Sequence, residues 1–256
     1  MGKDLLSAIA IPELTGKVVI VTGGHTGLGF GTSIELARHG ARVYIASRSQ
    51  TRFEHARRDI IAECSEREVD VRFLNLDLSS MSSVRHAAEQ FIRLLLPTLQ
   101  QTAAEAADKG SVRIVNVSSD GHAKLAPKEG IIFSDMNMKA FSVWARYGHS
   151  KLANVLHSRE LAKRYPDILA LSVHPGTVKT LIKPLVELGA PGPRKGAASI
   201  IFAAVSPQLK LECHNGAYLL PIGRLSAPSK AGSDAKMAEE LWEWTVNALS
   251  HVKVDE

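Results

Sequence analysis

Tyr147 and Lys151 stand four residues apart in "YGHSK" (147–151), inside a stretch of helical spacing that puts both side chains on one face. A free tyrosine titrates at about 10 and is a poor acid or base at neutral pH. A neighbouring ammonium and a cationic ring would both favour its phenolate and bring the proton within reach. The same spacing also suits a packed ring beside a lysine stem. A second chemical stretch is "TGGHTGLG" (22–29), at a strand-to-helix junction. Gly23, Gly27 and Gly29, with Leu28 among them, permit a tight turn and a close approach of backbone to a pyrophosphate, at a helix end whose N–H groups are free. The second strand then ends in "IASRSQ" (45–50), with no carboxylate for a ribose 2′-hydroxyl. Arg48 stands there instead, suited to a 2′-phosphate and hence to NADP(H) over NAD(H); an exposed arginine at a strand end is the plainer alternative.

These residues need a frame. "KVVIVT" (17–22), "ARVYIAS" (41–47), "VDVRFLNLDL" (69–78), "VRIVNVSS" (112–119) and "ILALSVHPG" (168–176) read as strands, and "GAYLLPIG" (216–223) as extended. Helical spacing covers the residues after Gly27, then roughly 51–64, 86–110, 144–164 and 193–206, and a last helix capped by Ser233 or Asp234. Apolar strands alternating with helices predict an α/β fold, a Rossmann-type doubly wound parallel sheet in one domain.

Composition narrows the field. The 256 residues are 45% hydrophobic and 22% charged, with a net charge of +5 and no basic run interleaved with aromatics, so no nucleic-acid partner is expected. Two cysteines far apart argue against a disulfide framework, and the ten histidines form no metal-ligand spacing, so no metal is expected. No apolar run is long enough to span a bilayer. The chain opens "MGKDLL", with Leu6 where a myristoylation signal wants Ser or Thr; a cytoplasmic protein is the expectation.

Taken in order, "TGGHTGLG", "VNVSSDG" (115–121) and "YGHSK" resemble the short-chain dehydrogenase/reductase family, in its retinol-dehydrogenase-like and fungal ketoreductase-like branch. "LDL" (76–78) and "HPGTVKT" (174–180) extend the resemblance over most of the chain. It implies that Gly23, Gly27, Leu28 and Gly29 line the pyrophosphate, Arg48 the 2′-phosphate, and Asp77 the adenine. Tyr147 would give or take the proton, Lys151 would support it and hold the nicotinamide ribose, and Pro175, Gly176 and Thr180 would cover the nicotinamide. Ser119 would hydrogen-bond the substrate oxygen, with Ser118 the less favoured candidate. The implied reaction is hydride transfer between NADP(H) and a small-molecule carbonyl or alcohol. The resemblance also implies a homo-oligomer paired through the Tyr-bearing helix and the long helix before it.

One family element is missing. Members carry an Asn-Asn-Ala-Gly stretch on a fourth strand and a catalytic Asn on the helix after it, and neither occurs between Asp77 and Val112. That interval reads as helix alone, and its stretch 86–110 is about twice the mean helix length and interrupted by Pro97. It resembles two helix fragments joined near Ile92–Arg93, with a strand–helix unit of about fifty residues gone by comparison with the family. Two ways to close the sheet follow: the 112–119 strand moves beside the first strand, or a gap is left with unpaired backbone groups. Two functional readings follow as well. One is an NADP-dependent oxidoreductase impaired by the missing unit. The other is an inactive truncated relative acting as a nucleotide-binding or interaction protein.

Overall fold

The computed structural model describes residues 9–77, 99–106, 108–176 and 196–250. In chain order the elements are β1 (Val18–Thr22), α1 (Gly27–Arg38), β2 (Arg42–Ser47), α2 (Gln50–Glu63), β3 (Val71–Asn75), β4 (Arg113–Val117) and α3 (Gly121–Lys124). There follow α4 (Val143–Arg164), β5 (Leu169–Val173), α5 (Ala198–Val205), α6 (Leu211–His214), β6 (Tyr218–Leu220), β7 (Arg224–Ser226) and α7 (Ala235–Ser250). The chain divides into two compact units: residues 9–77 with 196–206, and residues 99–176 with 207–250. The expected junction near Ile92–Arg93 lies outside the described residues, as does Thr180.

In the first unit β1, β2 and β3 form a parallel sheet in that order. α1 starts at the glycine turn and stops at Gly40, whose φ of +92° suits a residue without Cβ. α2 is capped by Ser49, whose hydroxyl accepts from the Arg52 N–H at 3.3 Å. Apolar residues at helical spacing on α1 and α2 meet Val43, Ile45 and Val71 in one core, joined by Val19 and Val21 of β1. β3 fills the middle of the 69–78 stretch, whose last residues form the exit from the strand, and Asp70, just before it, ion-pairs with Arg42 and Arg72.

In the second unit β4, β5 and β6 are parallel, and β7 returns antiparallel to β6. This return is a difference from the single extended run expected over 216–223. The chain turns at residues 221–223, with Ile222 and Gly223 at positive φ, and adds a short edge strand. The 22-residue α4 is capped by Ser142, which accepts from the Ala145 N–H, and ends at Tyr165 before a proline. α7 is capped by Asp234, which accepts from the Met237 N–H, and packs Ala238 and Leu241 against Leu152 and Leu156 of α4. Residues 99–105 are helical and set Ala103 against Val112 and Ile168.

Neither ladder contains a pairing of β4 with β1. Among the described residues β1 bonds to β2 alone and β4 to β5 alone. The consequence for burial is graded. All five residues of β5, flanked on both sides, are buried; all five of β4 are only half-buried; and β1 leaves Val18 56% exposed.

Candidate active site

Each unit holds part of the expected site. In the first, Gly23 and Gly27 adopt φ of +65° and +56°, and a Cβ on either would project into open space. Gly29 differs: a Cβ there would sit 2.6 Å from the Gly23 carbonyl, so the helix lies against the turn only because the side chain is absent. Thr26 makes no side-chain cap, and the first recorded bond of the helix runs from the Phe30 N–H to the Thr26 carbonyl. Among the described residues nothing accepts from the N–H groups of Gly27, Leu28 or Gly29. Open space, free donors and the positive end of a twelve-residue helix fit a phosphate.

Arg48 is exposed at the end of β2. Burial lowers the pKa of His25 in the glycine turn, and the charges of Arg52 and Arg48 lower it further, so both guanidiniums lie within electrostatic reach of the turn. The His25 Nδ1 is buried without a partner. Arg52 is a residue the sequence reading passed over; its signal was a second arginine four positions after Arg48, in the first turn of the next helix. Asp77 is half-buried two residues past β3, where Leu76 still donates to the Ser47 carbonyl.

In the second unit α4 carries Tyr147 and Lys151 on one face, the Lys151 Nζ 5.6 Å from the Tyr147 ring centroid. The ring is 39% exposed and covers Gly121, where a Cβ would come within 2.9 Å of it. Gly148 brings α4 closer still to the chain at Leu125–Ala126, where a Cβ would lie 2.3 Å from the Ala126 nitrogen. The two serines of "VSS" separate cleanly. The Ser118 hydroxyl donates to the Lys151 carbonyl at 2.7 Å and pins strand to helix. The Ser119 hydroxyl accepts from the Gly121 N–H at 3.1 Å and donates to the Asp120 carboxylate at 3.2 Å. Partial burial pushes the Asp120 carboxyl up, but the hydrogen bond from Lys124, with help from His174 and Ser119, outweighs it and holds the group below its ordinary range. Pro175 and Gly176 follow β5, Gly176 at φ +88°.

The Lys151 ammonium has a local partner. It donates to the Val117 carbonyl at 3.1 Å, and the Asn154 side chain donates to the same oxygen at 2.8 Å. In β4 the bonds Leu169 N–H to Val112 O and Ser118 N–H to Val173 O turn the even-numbered groups toward β5. The odd-numbered ones, Val117 among them, face the side without a strand. A strand on that side would have donated to this oxygen; two side chains of α4 do so instead. Burial lowers the Lys151 pKa.

The profile of the short chain dehydrogenase family matches residues 17–100. Short-chain dehydrogenase/reductase drtF of Aspergillus calidoustus is 36% identical over 94% of this chain and 96% of its own length. The chain belongs to the short-chain dehydrogenase/reductase family. Mouse retinol dehydrogenase 12 is 33% identical over 93% of this chain and 87% of its own length. A solved structure of an uncharacterized Mycobacterium paratuberculosis protein superposes with a TM-score of 0.69 at 26% identity, covering 96% of this chain and 97% of its own.

As a short-chain dehydrogenase/reductase the chain is an oxidoreductase, and relatives carry positions that it lacks. The alignment with the Aspergillus relative has 307 positions but takes in only 94% of 256 residues. More than sixty of its positions therefore face no residue here. The family profile also stops at residue 100, within the stretch that reads as two joined helices. In the order common to such sheets, 3-2-1-4-5-6, removing the fourth strand leaves one run ending at strand 1 and another starting at strand 5. Those are the two ladders seen here. Among the described residues no His/Cys/Asp/Glu cluster could hold a metal, and no helix is long and apolar enough to cross a membrane.

Proposed function

We propose that this chain binds NADP(H) and acts on a small-molecule carbonyl or alcohol, with low turnover imposed by the missing strand–helix unit. The cofactor, when bound, supplies or accepts the hydride. Gly23, Gly27, Leu28 and Gly29 hold its pyrophosphate on free N–H groups. Arg48, with Arg52, takes the 2′-phosphate, Asp77 meets the adenine, and Pro175, Gly176 and Thr180 flank the nicotinamide. Tyr147 gives or takes the proton, and Ser119 holds the substrate oxygen once its hydroxyl turns from Asp120. The observation that carries the reading is the Tyr147–Lys151 pair on one face of α4, with its tyrosine exposed to an incoming substrate.

The bond from Lys151 to Val117 supports the impairment. One of the three donors of the Lys151 ammonium is spent on a half-buried backbone oxygen, which leaves two for a ribose and ties the position of the group to the strand beneath it. A reading as a nucleotide-binding relative without turnover draws on the same bond.

Nicotinamide fluorescence on titration with NADPH and NADH, followed by turnover with generic aldehydes and ketones, tests both. Binding with slow turnover that falls a further ~10²–10⁴-fold in Tyr147→Phe is expected. Binding with no Tyr147-dependent turnover leaves the nucleotide-binding relative, and absence of binding removes both. Arg48→Ala should weaken NADPH about tenfold or more and leave NADH unchanged, a loss of roughly 1.5–3 kcal/mol for a charge-assisted contact. Equal weakening of both would overturn the assignment to NADP(H).

A further inference from the structure

Every sheet has edges, and the first unit's sheet has one edge of the wrong kind. Its outer strand β3, "VRFLN", carries Arg72, exposed and ion-paired to Asp70. In the second unit the outer strand β7 is three residues long and starts with Arg224. Charge and shortness are standard protections against strand-to-strand association. β1, "VVIVT", has neither. All five of its residues are β-branched, it holds no charge or proline, and Val18 is 56% exposed. This is the pattern of an interior strand standing at an edge.

The polarity of that edge is readable residue by residue. Arg42 donates to the Lys17 carbonyl and Gly23 donates to the Ala46 carbonyl, so the odd-numbered groups of β1 serve β2. The N–H and C=O groups of Val18, Ile20 and Thr22 therefore point to the open side. None of the three has a recorded partner there. Their side chains also lie on the sheet face away from the α1–α2 core, which takes Val19 and Val21.

We propose that β1 is a self-association edge, at which two copies of this chain pair antiparallel about Ile20. The register follows from symmetry. A two-fold axis through Ile20 sets Val18 against Thr22 of the partner copy and Ile20 against its own mate, with each pair exchanging both backbone bonds. The seam is neutral, so no charge opposes it, and the same apolar β-branched surface is presented by both sides. A second copy is the occupant that the strand itself favours, because a two-fold axis at Ile20 lets each outward donor meet an outward acceptor and the strand carries no charge that would repel its own copy. Five residues at about 3.3 Å each make a seam of only ~16 Å, short of what a standard interface buries. The pairing is accordingly weak, with dimer appearing as concentration rises through the micromolar range.

Sedimentation equilibrium from about 1 μM to 1 mM, paired with amide exchange by NMR, tests this. The mass should climb from 27.7 kDa toward twice that value. The amides of Val18, Ile20 and Thr22 should gain protection in step with it, while those of Val19 and Val21 stay protected throughout. Val18→Pro deletes a donor that faces only the open edge, and Ile20→Lys sets like charges face to face at the axis. Each should weaken association at least tenfold. Val18→Pro alters an exposed position outside the helix-packed core and decides the matter if Ile20→Lys does not fold. A mass of one chain at every concentration overturns the proposal. So does a dimer unaffected by Val18→Pro, and so does protection of the even-numbered amides in a monomer, which would mean the edge is paired within one chain.

Discussion

β5 and β1 carry the same kind of sequence, "LALSV" and "VVIVT", and come to opposite ends. β5 has a strand on either side, and each of its five residues is buried, Leu169, Ala170, Leu171 and Val173 to 0% exposure. β1 has a strand on one side, and its ends are exposed and its middle half-buried. Intrinsic strand propensity favours β1, which is wholly β-branched. Neighbours decide the outcome, because burial of a parallel strand comes from the elements beside and over it. Unpaired backbone groups are costly inside a protein, and the exposure of Val18 and Thr22 at the two ends of β1 lessens that cost. On β4 the Val117 carbonyl is met differently, by Lys151 and Asn154.

The contrast can be broken by substitution. Leu171→Ala in β5 should cost about 2–5 kcal/mol, measured by urea unfolding, because the cavity it leaves is walled on all sides. Next comes Gly148→Ala in α4. Helix propensity alone predicts a gain of about 1 kcal/mol, but the added Cβ would lie 2.3 Å from the Ala126 nitrogen and 2.4 Å from the Leu125 carbonyl carbon. Backbone cannot yield as a side-chain tip does, so overpacking wins and a net loss of about 1–3 kcal/mol is expected. A stabilised Gly148→Ala protein would mean that Leu125–Ala126 and α4 are not in contact there.

Acid should act unevenly on the two units. His122, His149, His157 and His174, all in the second unit, have pKa values lowered by burial, against His25 alone in the first. The His122 Nδ1 bonds the Ser119 carbonyl at 2.6 Å and its Nε2 accepts from the Ser229 N–H at 3.1 Å, so the neutral ring is fully used. Because the folded values lie below the ordinary 6.5, the unfolded chain takes up protons first as pH falls. Stability is therefore whole above about 6.5 and declines through the lower folded values. Amide exchange at pH 7 and pH 5.5 should show β4–β6 losing protection more than β1–β3; equal loss would count against these assignments. The smallest effect belongs to Val18→Ala, within about 0.5 kcal/mol. A loss there as large as that of Leu171→Ala would show β1 to be covered after all.

Much of this was readable before folding was considered. Tyr147 and Lys151 share a face because four residues make about one helical turn, a local fact. Gly23, Gly27 and Gly29 mark a turn by composition, and the alternation of strands and helices is written in hydrophobic period. The fate of Ser119, bonded to Asp120 and Gly121, was not readable, since both serines of "VSS" are equally placed in sequence and only the approach of α4 distinguishes them. Arg52 was missed because its role depends on how α2 leaves β2, and β7 because a three-residue turn with a β-branched residue at positive φ carries little local signal.

The sequence by itself determined the family, the order of elements, the glycine turn, the Tyr–Lys pair and the absence of an Asn-Asn-Ala-Gly stretch, all of which depend on local pattern or on what is present in the chain. Tertiary structure alone decided the pairing: among the described residues β1 pairs with β2 alone, β4 pairs with β5 alone, and the Lys151 ammonium rests on Val117. Hydrogen-bond partners across a sheet come from distant residues, and a donor or acceptor deprived of one takes the nearest group that packing brings to it.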